Sequence, residues 1–172
     1  MAKIIHAMVR VHDLERSLQF YKDALGLSTS HRLDFPDFSL VYLRNEENDF
    51  EIELTWNKGR EPAYTHGDGY GHIAVAVPEL ENEHERMTQL GIHPTPVKEF
   101  KRGEEMLARF FFIQDPDGYK IEVLERSGHY VYVHACRQQQ ARGLSEKANS
   151  GARLSCQLVQ RTDTRRPAHI TR

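Results

Sequence analysis

Two pairs of histidine and glutamate recur in this chain at matched places, and together they make a donor set for a divalent cation. His6 opens the alternating run Ile5-His6-Ala7-Met8-Val9-Arg10-Val11, and Glu53 lies in Phe50-Glu51-Ile52-Glu53-Leu54. His72 opens Gly71-His72-Ile73-Ala74-Val75-Ala76-Val77, and Glu122 lies in Tyr119-Lys120-Ile121-Glu122-Val123-Leu124. His6 to Glu53 is 47 residues and His72 to Glu122 is 50, while Val11 and Leu14 map onto Val77 and Leu80 at the common offset of 66. That period is one supersecondary module, present twice. An ionised carboxylate inside Ile-Glu-Leu or Ile-Glu-Val is costly in apolar surroundings unless something pairs with it. A cation shared with imidazoles does so. A single strand histidine is more commonly a hydrogen-bonding residue, but four such residues at duplicated positions favour the metal. His12, His31, His66, His84 and His93 have no duplicated carboxylate and read as surface or structural residues.

Strand alternation puts His6, Met8 and Arg10 on one face, and Glu51, Glu53, Thr55 and Asn57 on one face of a second strand. At the rise of an extended strand, Arg10 lies about 13 Å from His6 and Asn57 about 13 Å from Glu53. A metal at one end then has two polar hands at the other, an arrangement for a small molecule with a reacting end and a distant charged end. In the second copy Ala74 and Ala76 take the places of Met8 and Arg10, which leaves room for a ligand.

The elements that carry these residues follow from pattern and punctuation. Asp13 is placed to cap a helix bearing Leu14, Leu18, Tyr21 and Leu25 as an apolar stripe, with Gly26 as its stop. Strands are expected near 40–43 and 50–56, then a helix over about 79–90 stopped by Gly91, then strands near 108–113 and 119–124. Each module reads β-α-β-β-β, with one strand in each weakly marked. Asp115-Pro116-Asp117-Gly118 has the residue order of a type I turn.

Hydrophobic residues make up 39% and charged residues 28% of the 172 residues, the proportions of an ordinary soluble protein. No run of about 18 uncharged apolar residues occurs and no apolar leader is apparent, so no membrane association and a cytoplasmic location are expected. Residues 128–172 carry eight Lys and Arg against two Asp and Glu, a balance of +6, leaving −8 for residues 1–127. That basic segment lacks hydrophobic periodicity and reads as a disordered tail. Its cations are scattered, without the interleaved aromatics of a nucleic-acid surface, so no nucleic-acid partner is expected. Cys136 and Cys156 both lie there without metal-ligand spacing.

At these residues the chain resembles glyoxalase I, the lactoylglutathione lyases of the vicinal oxygen chelate superfamily. The resemblance rests on His-Ala-Met-Val-Arg-Val from His6, Phe20-Tyr21, Leu25-Gly26-Leu27, Ile-Glu-Leu-Thr-Trp-Asn over 52–57, Gly-Tyr-Gly-His-Ile-Ala over 69–74 and Asp-Pro-Asp-Gly-Tyr-Lys-Ile-Glu over 115–122. It implies an α+β fold in which paired βαβββ modules, about 3–57 and 69–127, form a cupped mixed sheet within one glyoxalase-like domain of residues 1–127. It implies His6, Glu53, His72 and Glu122 as metal ligands, with nickel or cobalt preferred to zinc, and a homodimer with shared active sites. Arg10 and Asn57 would hold the γ-glutamyl end of glutathione. The implied reaction converts the methylglyoxal–glutathione hemithioacetal to S-lactoylglutathione by proton transfer through an enediolate, with Glu122 as proton shuttle and Glu53 as its counterpart. Asp68 stands near a place where some glyoxalases carry an arginine for the glycine carboxylate. A ring-cleaving dioxygenase, an isomerase using another thiol and a non-catalytic binder are the alternative readings within the same superfamily.

Overall fold

The computed structural model describes residues 1–128, so the expectation of a disordered segment after Gly128 lies outside the described residues. The first module runs β1 (His6–Val11), α1 (Leu14–Leu25), β2 (Ser28–Asp34), β3 (Phe38–Arg44) and β4 (Glu51–Asn57). The second runs β5 (Ile73–Val77), α2 (Leu80–Gln89), β6 (Lys98–Arg102), β7 (Glu105–Gln114) and β8 (Lys120–Glu125). The expected mixed sheet resolves into two four-stranded sheets with the same order, β1-β4-β3-β2 and β5-β8-β7-β6. In each, the first and last strands of the module pair in parallel and the remaining pairings are antiparallel.

Helix α1 begins where Asp13 accepts a hydrogen bond from the Arg16 amide and ends where Gly26 adopts φ 64°, the left-handed conformation that glycine takes without strain. Its buried face is Leu14, Ser17, Tyr21 and Ala24, a stripe rotated from the expected one toward small residues, with Leu18 and Leu25 at its margin. One sheet face is therefore committed to the helices. Val9, Val11 and Leu54 in the first module, and Phe111, Ile121 and Val123 in the second, are almost fully buried in one core with Leu80 and Met87 of α2. The opposite face of β1, through His6, Met8 and Arg10, stays exposed.

The hairpin between β7 and β8 is the expected turn: the Gly118 amide donates to the Asp115 carbonyl at 3.0 Å. The Asp115 carboxylate accepts from the amides of Asp117 and Tyr119 and, at 3.0 Å, from the Tyr21 hydroxyl on α1. The two modules are also tied by the Arg86 guanidinium, which donates to the carbonyls of Asp23 and Ala24 at the C-terminal end of α1, where a cation meets the negative end of the helix dipole. Burial raises the Asp115 carboxyl above its ordinary range, and its hydrogen bonds oppose that rise. Tyr21→Phe leaves one carboxylate oxygen buried without that partner, so a loss of about 1–3 kcal/mol is expected in urea unfolding. The raised value makes the carboxylate less favourable in the folded state as pH rises through it. The Tyr21→Phe deficit is therefore larger at neutral pH than at a pH below the carboxylate range, and a pH-independent deficit would contradict this account.

Candidate active site

Parallel pairing of β1 with β4 sets Met8 opposite Glu53 and Arg10 opposite Thr55. His6 and Glu53 reach across diagonally, bringing His6 Nε2 within 3.3 Å of Glu53 Oε2. Glu53 is 8% exposed, a burial that a carboxylate tolerates only with partners. Its other oxygen, Oε1, accepts a hydrogen bond from Thr55 Oγ1 at 3.1 Å. Tyr42 on β3 lies opposite Glu53 in the antiparallel register, and its ring packs edge-on against the His6 ring at 5.7 Å. The Tyr42 phenol is raised above its ordinary range by burial, then by hydrogen bonding with and the charge of Glu53. His31 stacks on Tyr42 with ring centres 6.1 Å apart.

The second module repeats this arrangement with different chemistry. His72 immediately precedes β5, and its Nε2 lies 3.2 Å from Glu122 Oε2 on β8. Phe112 on β7 takes the place of Tyr42, opposite Glu122 in register and edge-on to the His72 ring at 5.5 Å. The residue two beyond Glu122 is the buried Leu124, where the first module has Thr55.

The four residues thus come as two pairs, one on each sheet. Among the described residues, no group of three or more His, Cys, Asp and Glu side chains gathers closely enough to hold a metal. Arg10 and Asn57 lie toward the same end of the first sheet, because β1 and β4 run in parallel. Arg10 is exposed, while the Asn57 amide donates to the Tyr64 hydroxyl at 2.9 Å and the Arg60 guanidinium lies 4.2 Å from the centre of the Tyr64 ring. Three further histidines make scaffold contacts: His12 meets the Glu61 carbonyl, His84 meets the Thr95 carbonyl, and His66 stacks on Tyr119. Tyr42 and Tyr64 were not singled out by spacing, because cross-strand register and a loop bring them to the site.

Residues 3–123 match the Glyoxalase/Bleomycin resistance protein/Dioxygenase superfamily. The chain belongs to that superfamily. As a member, it is 40% identical over 131 residues to the lactoylglutathione lyase of Haemophilus influenzae, covering 72% of this chain and 92% of that protein. It is 37% identical to the probable lactoylglutathione lyase of Synechocystis over 72% of this chain and 95% of that one. Among solved structures, the trypanothione-dependent glyoxalase I of Leishmania major is similar, with a TM-score of 0.59 and 28% identity over 88% of this chain and 99% of that one. Glyoxalase I from Zea mays superimposes with a TM-score of 0.65 at 30% identity, over 73% of this chain and 45% of that one.

Proposed function

We propose that the chain is a metal-dependent lactoylglutathione lyase that converts the methylglyoxal–glutathione hemithioacetal to S-lactoylglutathione. The observation that carries this reading is the recurrence of a His–Glu contact, 3.3 Å in one module and 3.2 Å in the other, in a chain whose relatives bear that activity. Two ligands of a single cation at ordinary bond lengths stand about 3–3.5 Å from each other, so each pair is spaced as neighbouring ligands are. Two imidazoles and two carboxylates also make a redox-inert set with borderline and hard donors, suited to nickel, cobalt or zinc. We favour nickel or cobalt.

His6, Glu53, His72 and Glu122 would hold the ion, and a second copy of the chain would supply the pair that completes each site. Two observations support a homodimer with shared sites. The two pairs of one chain do not gather among the described residues, and Met8, on the face of β1 that carries His6, is a large exposed apolar side chain. A cation bound there supplies Lewis-acid polarisation of the substrate oxygens, which acidifies the adjoining C–H.

Arg10 and Asn57 hold the γ-glutamyl end of the thiol, and Tyr64 orients the Asn57 amide. Glu122 takes the proton from the carbon that bears sulfur and hydroxyl, giving an enediolate, and delivers a proton to the neighbouring carbon, while the hydroxyl proton passes to the former ketone oxygen so that the first carbon becomes the thioester carbonyl. No electrons leave or enter, and the product is the thioester. The chain works in the cytoplasm, where the glutathione pool is held reduced. Asp68 is exposed, so Lys98, Lys101 or Arg102 on β6 would meet the glycine carboxylate instead, although Lys101 and Arg102 are each engaged by a neighbouring glutamate.

The test is thioester formation from methylglyoxal and glutathione by metal-stripped protein reloaded separately with nickel, cobalt, zinc and iron. Turnover should be absent without metal and highest with nickel or cobalt. Metal binding without turnover in every case would overturn the assignment of this reaction.

A further inference from the structure

The duplication is faithful in the histidines and glutamates but not in what surrounds each carboxylate. Glu53 has both oxygens engaged: Oε2 by His6 and Oε1 by Thr55. The aromatic ring opposite it ends in a hydroxyl, that of Tyr42. Glu122 has His72 on Oε2, and the residues that correspond to Tyr42 and Thr55 are Phe112 and Leu124, neither of which offers a hydroxyl. The two rings make the same edge-on contact with their histidines, at 76° and 73° between planes. The scaffold is thus equal in the two halves while the hydrogen-bonding capacity is not.

We propose that Tyr42 is a positioning residue which, together with Thr55, fixes the Glu53 carboxylate as the static member of the site and leaves Glu122 as the member free to turn and carry the proton. This rests on the function proposed above. It adds to it a cause, located in a cross-strand residue, for the division of labour between two carboxylates that the duplication makes otherwise equivalent. A carboxylate held by the Thr55 hydroxyl, with the Tyr42 side chain opposite it in register, pays little ordering entropy when it ligates a cation. One without such partners moves at less cost.

The predicted effect is read on binding, apart from turnover. Removing an outer hydrogen-bond partner of a ligand lowers metal affinity by roughly 10–100-fold. Full-length protein stripped of metal is titrated with Co²⁺ against a competing chelator, and its visible absorption is followed. Tyr42→Phe should weaken Co²⁺ binding about tenfold and shift the absorption bands, with the metal-free protein still unfolding in one cooperative transition. Thr55→Val should act in the same direction. The converse variant Phe112→Tyr places a hydroxyl opposite Glu122, and should tighten Co²⁺ binding while lowering kcat at constant KM. Wild-type affinity and spectrum in Tyr42→Phe would overturn the proposal while leaving the lyase assignment in place. Failure of the unaltered protein to bind Co²⁺, nickel or zinc would overturn the metal reading and this proposal with it.

Discussion

Glu122→Gln should abolish thioester formation while leaving the fold and most of the metal affinity in place. The amide keeps the side-chain length and an oxygen to face His72, whose Nε2 lies 3.2 Å from the present carboxylate, but it cannot accept the proton. General bases contribute about 10²–10⁴-fold to rate, so kcat should fall by that factor with KM little changed. Glu122 is the right place for this loss because its second oxygen is not committed to a neighbouring hydroxyl, in contrast to Glu53, whose Oε1 is held by Thr55. Steady-state kinetics on the nickel-loaded variant and circular dichroism check the two halves of the prediction. Undiminished turnover would place the base elsewhere.

The two His–Glu pairs were legible in the sequence because the chain repeats itself. A single strand glutamate between isoleucine and leucine is ambiguous, but its recurrence with a histidine at matched offsets is not. Both helices were legible for a different reason, since Asp13, Gly26 and Gly91 punctuate them and φ values of 64° and 74° at the two glycines show why those residues stand there. Strands β2 and β6 were weakly marked because every one of their residues is exposed. No apolar alternation is written into such strands. They are held by backbone pairing to β3 and β7, whose buried residues carry the pattern.

The surroundings of the pairs were not legible either. That Tyr42 meets Glu53 and Phe112 meets Glu122 is a consequence of antiparallel register, which a one-residue slip would reverse. Ser17 and Ala24 on the buried stripe of α1 were also hidden, because small residues face a close neighbour without registering as hydrophobic. Asn57 was expected from its spacing, but its contact with Tyr64 depends on the path of the loop between the modules.

Under the proposed function, each active site joins the His6–Glu53 pair of one copy to the His72–Glu122 pair of another. His6→Ala and Glu122→Gln disable different pairs, so each variant alone should be inactive. In a heterodimer of the two, one site collects both lesions and the other collects none. Co-expression with two different tags and sequential purification isolates that heterodimer, and its thioester formation with nickel is then compared with the unaltered homodimer. One intact site of two gives about half the activity per dimer. An isolated heterodimer as inactive as its parents would show that the pairs close within one chain and would contradict the shared site.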